Sequence, residues 1–364
     1  MKQFLRWMMA VVAMMTTMTV GAQRIQVTDN DGNPIPMVSV LAEDGTVIGT
    51  TDIDGVLSDV KGAEVVTFTH IAYKSKKAKV GQGGRISLDD ADFGLPEIVV
   101  TKKPLVYVQT YYRIYYLAQY PDDDNVYYYR AGVLNNSYNR ETKKISRDED
   151  HFSACSMGVL KTALNTVLGP FIKQLAGLNM NKVESRLKKG FDKVNLEFVP
   201  NGPGRQLIKD KYGVVGSVTD NQDKGERRYS YELHKMDNHL VQATGSDKKK
   251  AKAEKRDGKK KNRQDQNYMV YRIDEEGNYS PEDFVMLQHL TSYDRVSGDD
   301  LVPTNMLLQV FTVERSYVTK EELKQIKKEN KMKMTYRNLV EFERRNKIPA
   351  LPEVFLKRIN QFVE

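Results

Sequence analysis

Leu105-Val106-Tyr107-Val108-Gln109-Thr110-Tyr111-Tyr112-Arg113-Ile114-Tyr115-Tyr116-Leu117-Ala118 contains no glycine, proline or acidic residue, and its side chains alternate. On an extended chain Val106, Val108, Tyr112, Ile114, Tyr116 and Ala118 share one face, while Gln109, Arg113 and Gln119 lie on the other. Asp122-Asp123-Asp124-Asn125 forms a polar turn, and residues 126–134 read as the returning strand. β-Branched and aromatic side chains suit a half-buried pleated surface, so this pair predicts an antiparallel sheet.

Nine of the 20 tyrosines fall between Tyr107 and Tyr129, a density that invites a functional reading. Tyr107, Tyr111, Tyr115, Tyr127 and Tyr129 form a candidate binding surface, because aromatic rings stack on sugar faces while their hydroxyls hydrogen-bond. The opposing reading is packing: tyrosine is a good strand former, and the rings fall on both faces.

Towards the C-terminus, Leu160, Leu164, Val167, Leu168, Phe171, Ile172 and Leu175 recur at helical spacing, and Gly169-Pro170 is expected to split the run into two helices. Strands are expected to resume over 212–218, 227–233, 240–243, 268–273 and 306–313. Thr319-Lys320-Glu321-Glu322 is a capping box that opens a helix. Two more helices are expected over 336–345 and 353–363. Residues 105–364 therefore predict an α+β domain, an antiparallel sheet with packed helices.

Residues 24–92 have a different rhythm. Asp31-Gly32-Asn33-Pro34, Glu43-Asp44-Gly45, Asp52-Ile53-Asp54-Gly55 and Gly81-Gln82-Gly83-Gly84 punctuate short apolar runs, as in a small β-sandwich. The order Val27-Thr28-Asp29-Asn30-Asp31-Gly32-Asn33-Pro34-Ile35-Pro36-Met37-Val38-Ser39-Val40, then Gly49-Thr50-Thr51-Asp52-Ile53-Asp54-Gly55, then His70-Ile71-Ala72-Tyr73-Lys74 resembles the carboxypeptidase regulatory-like domain. The resemblance implies a seven-stranded, transthyretin/Ig-like sandwich of the kind found at the N-terminus of exported Bacteroidetes envelope proteins, including TonB-dependent receptors. Leu95-Pro96-Glu97-Ile98-Val99-Val100-Thr101 is similar to the segment that follows the domain in those receptors. Ile25, Met37 and Ala72 depart from the pattern, standing where the family usually has glycine. The expected organisation is a signal peptide over 1–22, the sandwich over 23–94, a linker over 95–104 and the α+β domain over 105–364.

The leader reading rests on Lys2 and Arg6 ahead of an apolar run over 7–20, with Val20-Gly21-Ala22 supplying small residues before Gln23. Export to the periplasm or the outer membrane follows, with no transmembrane segment after cleavage. The net charge of +8 is local: Lys248 to Arg263 holds ten basic and two acidic residues. With Lys2 and Arg6 removed, the rest of the mature chain carries −2. The basic run, with no apolar residue larger than alanine, is expected as a disordered loop over 245–266. It is a candidate for attraction to an anionic surface, and an exported chain is not expected to meet nucleic acid.

No zinc-peptidase arrangement surrounds His70, His151, His234, His239 or His289, and neither a nucleophile elbow nor a phosphate-binding loop occurs. No metal or cofactor is expected. The Asp29/Asp31 and Asp52/Asp54 pairs read as turn formers rather than Ca²⁺ ligands. The lone Cys155 excludes an intramolecular disulfide and reads as an inert thiol. The leading expectation is a non-enzymatic envelope protein that binds a protein or glycan. The alternatives are a carbohydrate-active hydrolase with unrecognised carboxylates and an accessory of TonB-dependent uptake.

Overall fold

The computed structural model describes residues 24–60, 62–80, 84–93, 102–120, 125–244, 247–330 and 334–363. The leader over 1–22, the acids at 122–124 and linker residues 95–101 lie outside the described residues. The architecture is β-rich α+β, and no described helix is long and apolar enough to cross a membrane.

The N-terminal unit holds β1 (Ile25–Thr28), β2 (Ser39–Leu41), β3 (Val47–Thr50), β4 (Val56–Leu57), β5 (Val65–His70), β6 (Tyr73–Lys79) and β7 (Gly84–Ser87). They form two sheets, ordered β4-β1-β7 and β3-β2-β5-β6, with β1 and β7 parallel. Ile25, Val27, Val38, Val40, Phe68 and Leu88 meet in one buried cluster. The aspartate turns form as their sequence requires: Asp52 Oδ1 accepts from the Asp54 and Val56 amides, both at 2.9 Å. Gly55 has φ +71°, and a Cβ there would meet the Val27 carbonyl at 2.5 Å.

The second unit opens with β8 (Leu105–Ala118), β9 (Val126–Asn139) and β10 (Ile145–Cys155), then α1 (Gly158–Ala176) and α2 (Val183–Gly190). The chain continues through β11 (Glu197–Pro200), β12 (Arg205–Asp210), β13 (Gly213–Asn221), β14 (Glu226–Glu232), α3 (Leu233–Thr244), α4 (Asp247–Asp257) and β15 (Lys260–Arg272). It ends with β16 (Phe284–Ser297), β17 (Asp300–Val318), α5 (Lys320–Glu329), α6 (Tyr336–Arg345) and α7 (Glu353–Val363). β8 to β17 make a ten-stranded antiparallel sheet ordered β10-β9-β8-β17-β16-β15-β14-β13-β12-β11.

Both faces of this sheet are covered, which explains why its central strands are apolar on both sides. On one face Tyr111, Tyr115, Val270 and Phe311 pack against Leu339 and Phe342 of α6, Phe355 and Ile359 of α7, and Met37, Leu41 and Ile71 of the N-terminal unit. On the other, Tyr112, Ile114 and Leu308 pack against Leu168 and Ile172 of α1, Leu187 of α2 and Met236 of α3.

Three expectations are corrected here. α1 runs through Pro170 instead of stopping at it, because the buried Leu168 and Ile172 hold the turns on either side and outweigh one lost backbone bond. Residues 240–243 are helical: Leu233, Met236, Leu240 and Ala243 recur every three or four positions and lay one face on the sheet. The basic stretch expected as a loop is α4 followed by the start of β15. Alanine, lysine, glutamate and arginine are strong helix formers, and contacts with α3 and β15 hold this short segment in the helix that its propensity favours.

Candidate functional site

The five tyrosines singled out in the sequence do share a face, on the side that receives the C-terminal helices. Tyr115 stacks on Phe355 with ring centroids 4.2 Å apart, Tyr127 stacks on Phe362, and Tyr129 meets Tyr336 edge-on. Tyr111 donates to Glu343, while Tyr107 donates to Asn135 at 2.7 Å and accepts from Asn330 at 2.9 Å. Tyr107, Tyr111, Tyr115 and Tyr129 are buried and Tyr127 half-buried. Their rings are used in packing, with no flat aromatic face presented to a sugar. Arg113 fastens this cover: its guanidinium donates to Gln309 at 2.9 Å, Glu343 at 3.1 Å and the Pro349 carbonyl at 2.7 Å.

A polar cleft of about 560 Å³ opens elsewhere, between the N-terminal unit and strands β12 to β15. Asp29, Asp31, Asn33, Pro34, Ile35, Pro36, Ile53 and Tyr73 form one wall; Ser217, Arg228, Ser230 and Tyr268 form the other. Strand pairing sets the second wall. Thr219 lies opposite Arg228, Ser217 opposite Ser230, and Ser230 opposite Tyr268, so these side chains project from one face of three neighbouring strands.

Cross-unit bonds fix the width of the cleft. Arg228 Nη1 donates to Tyr73 Oη at 2.9 Å, with Nε and Nη2 on Glu226 at 3.2 and 2.9 Å. Arg205 reaches the Ile53 carbonyl at 2.9 Å and Asp54 at 3.1 Å, and Lys224 pairs with Asp90 at 2.6 Å. Gln266 Nε2 donates to Thr50 Oγ1 at 2.9 Å.

Behind the wall lies His70, wholly buried, its ring edge-on to Tyr268 at 4.3 Å. Burial first, and then the Arg228 charge, lower its pKa to about 3, so the imidazole is neutral. Nδ1 accepts from the Ala72 amide at 3.2 Å, which leaves the proton on Nε2. Burial also pushes the Tyr268 hydroxyl above the ordinary tyrosine range. Tyr268 is part of the cleft lining, and its Oη is buried with no hydrogen-bond partner within the protein. A buried hydroxyl in that state calls for a reason. A wider opening of about 780 Å³, between β6 and residues 343–353, has no such group in its lining.

The other ionisable clusters are internal. Thr291 Oγ1 lies 3.1 Å from His289 Nε2, and His289 Nδ1 lies 3.2 Å from Asn267 Oδ1, but all three residues are buried and Phe171 of α1 caps the imidazole. Burial raises the pKa of Cys155 and lowers that of His151, so neither is primed as a nucleophile or cation. Asp29 accepts from the Asn33 amide at 2.7 Å and holds its turn. Among the described residues no three histidine, cysteine, aspartate or glutamate side chains converge as metal ligands.

Sequence reasoning did not find the cleft, because Tyr73 and Arg228 are 155 residues apart and neither stands in a chemical motif. The nearest signal was the His70-Ile71-Ala72-Tyr73 run, which belongs to the family resemblance. No family model matches the chain, and no curated protein matches it.

Proposed function

We propose that this chain is an exported, non-enzymatic cell-envelope protein that binds a glycan segment in the cleft between its two units. The observation that carries the reading is the Tyr268 hydroxyl, buried in the cleft wall without a partner beside the Arg228 guanidinium. Ligand pockets favour such junctions between units, and a few converging polar groups in them fix orientation. Asn33, Thr219, Asn221, Gln222 and Arg228 supply accessible polar groups suited to a hydroxyl-rich ligand, over a buried floor of Tyr73, Tyr268, Ser217 and Ser230.

On this reading the N-terminal unit is a seven-stranded, transthyretin-like sandwich of the carboxypeptidase regulatory-like kind. Met37 supports it: it stands where that family usually has glycine, and its φ is +61°, a backbone state that favours glycine. The envelope location rests on the leader read from the sequence.

The test is titration calorimetry of the protein against a broad panel of soluble glycans, repeated with Tyr268→Phe. Saturable binding that weakens in the variant supports the reading. Release of reducing sugar would replace it with the hydrolase reading, for which Asp29, Asp31, Asp220 and Asp223 around the cleft supply carboxylates. Absence of binding across the panel, with a TonB-dependent transporter co-purifying from envelopes, would replace it with the uptake-accessory reading.

A further inference from the structure

Helix α1 carries two apolar stripes. Leu168, Ile172 and Ala176 pack on the sheet, while Val159, Ala163, Val167 and Pro170, spaced four, four and three residues apart, face solvent. Val159 is 89% exposed and Val167 69%, against the usual tendency of such side chains. The helix contains Lys161 and Lys173 and no acid.

The missing basic complement comes from elsewhere in the chain. One row of paired residues crosses the sheet from Cys155 through Tyr128, Tyr116, Met306 and Thr291 to Asp265. α1 begins just past one end of that row, and α4 with residues 258–263 just before the other, so both attach at the same end of the sheet. α3, the helix before α4 in the chain, packs through Met236 into the same cluster as α1. Lys250, Lys255 and Lys259 are exposed, and the net +8 of Lys248 to Arg263 outweighs Asp294, Asp299 and Asp300 of the nearby β16–β17 hairpin and Asp265, which pairs with Arg263.

We infer that this end of the helical face docks on an anionic bilayer surface, with the exposed valines of α1 entering the headgroup boundary and the 248–263 segment supplying the attraction. An apolar stripe and a cluster of cations are the two contributions that together hold a protein at a membrane interface. A polyanion such as nucleic acid would engage the lysines and leave the valines unused. The cleft opens on the opposite face of the sheet, so docking leaves it clear, and the inference stands or falls separately from glycan binding.

The test is co-sedimentation of the full chain with phosphatidylcholine vesicles and with vesicles containing about one-third phosphatidylglycerol. Wild type is expected on the anionic vesicles alone and to leave them in high salt. Each lysine near the surface contributes about fivefold, so Lys250→Gln, Lys255→Gln and Lys259→Gln together should weaken partitioning about a hundredfold. Val159→Ser with Val167→Ser, on an exposed surface and checked by circular dichroism, should weaken it by at least about tenfold. Equal partitioning of wild type and both variants, or no preference for anionic vesicles, overturns the proposal. So does a valine variant that keeps vesicle binding but loses self-association in sedimentation velocity, which would assign the stripe to a second copy.

Discussion

Arg228 of β14 donates to Tyr73 of β6 at 2.9 Å, joining the large sheet to the N-terminal unit at the wall of the cleft. Its two remaining bonded donors go to Glu226, so the guanidinium is held from both sides. Tyr73→Phe removes the cross-unit bond and little else. A hydrogen bond to a charged group is worth about 1.5–3 kcal/mol, and that loss of stability is expected in urea denaturation. An unchanged midpoint would mean that the two units are held together without this contact.

Tyr268→Phe should separate folding from binding. Its hydroxyl is buried and unpartnered, so deleting it removes a desolvation penalty and should leave stability equal or raise it by about 1 kcal/mol. Ligand affinity is expected to fall about tenfold, the worth of about one hydrogen bond. Loss of stability in thermal unfolding would show that the hydroxyl has an internal role.

Glu232 gives a pH signature. Burial raises its pKa from 4.5 to about 7, although its Oε1 accepts from the Asp265 amide at 2.6 Å. Because the folded value is the higher, the folded state binds the extra proton, and the stabilisation present below pH 4.5 is lost as pH rises to about 7. Glu232→Gln keeps the carbonyl acceptor and removes the ionisation. It should stabilise the protein by about 3 kcal/mol above pH 7 and have little effect near pH 4. Denaturation curves at the two pH values check this.

The folding of the sheet was written in local patterns that needed no partner to interpret them. β8 and β9 follow from alternation, α5 from its capping box, and α6 and α7 from periodicity. β10 was invisible because most of Ser146 to His151 is exposed or half-exposed, so no apolar alternation marks it. The tyrosine face was legible, but its fate was not: whether Tyr115 meets a sugar or Phe355 depends on residues 240 positions away. The cleft was hidden for the same reason, since Tyr73 and Arg228 come together only after both units have folded.

His70 should give the opposite pH behaviour to Glu232. Its folded pKa of about 3 lies below the ordinary 6.5, so its contribution is complete above pH 6.5 and is lost as pH falls towards 3. Unfolding at pH 5 should take up about one more proton in wild type than in His70→Gln. The difference between their stability slopes over pH 4–6 measures it. Parallel slopes would place the imidazole in contact with water.

Phe355 decides how the tyrosine face is used. It is 1% exposed, stacks on Tyr115, and holds α7 against the sheet. Phe355→Ala removes a large buried ring and should cost about 3–5 kcal/mol. It should also uncover Tyr115, whose nitration by tetranitromethane is expected to be slow in wild type and faster in the variant at a denaturant concentration where both remain folded. If Tyr115, Tyr127 and Tyr129 are already nitrated as fast in wild type as in an unfolded control, α7 leaves the sheet readily in solution. The stack seen here would then be a closed cover over an aromatic surface, and glycan binding would have to be sought on that face as well as in the cleft.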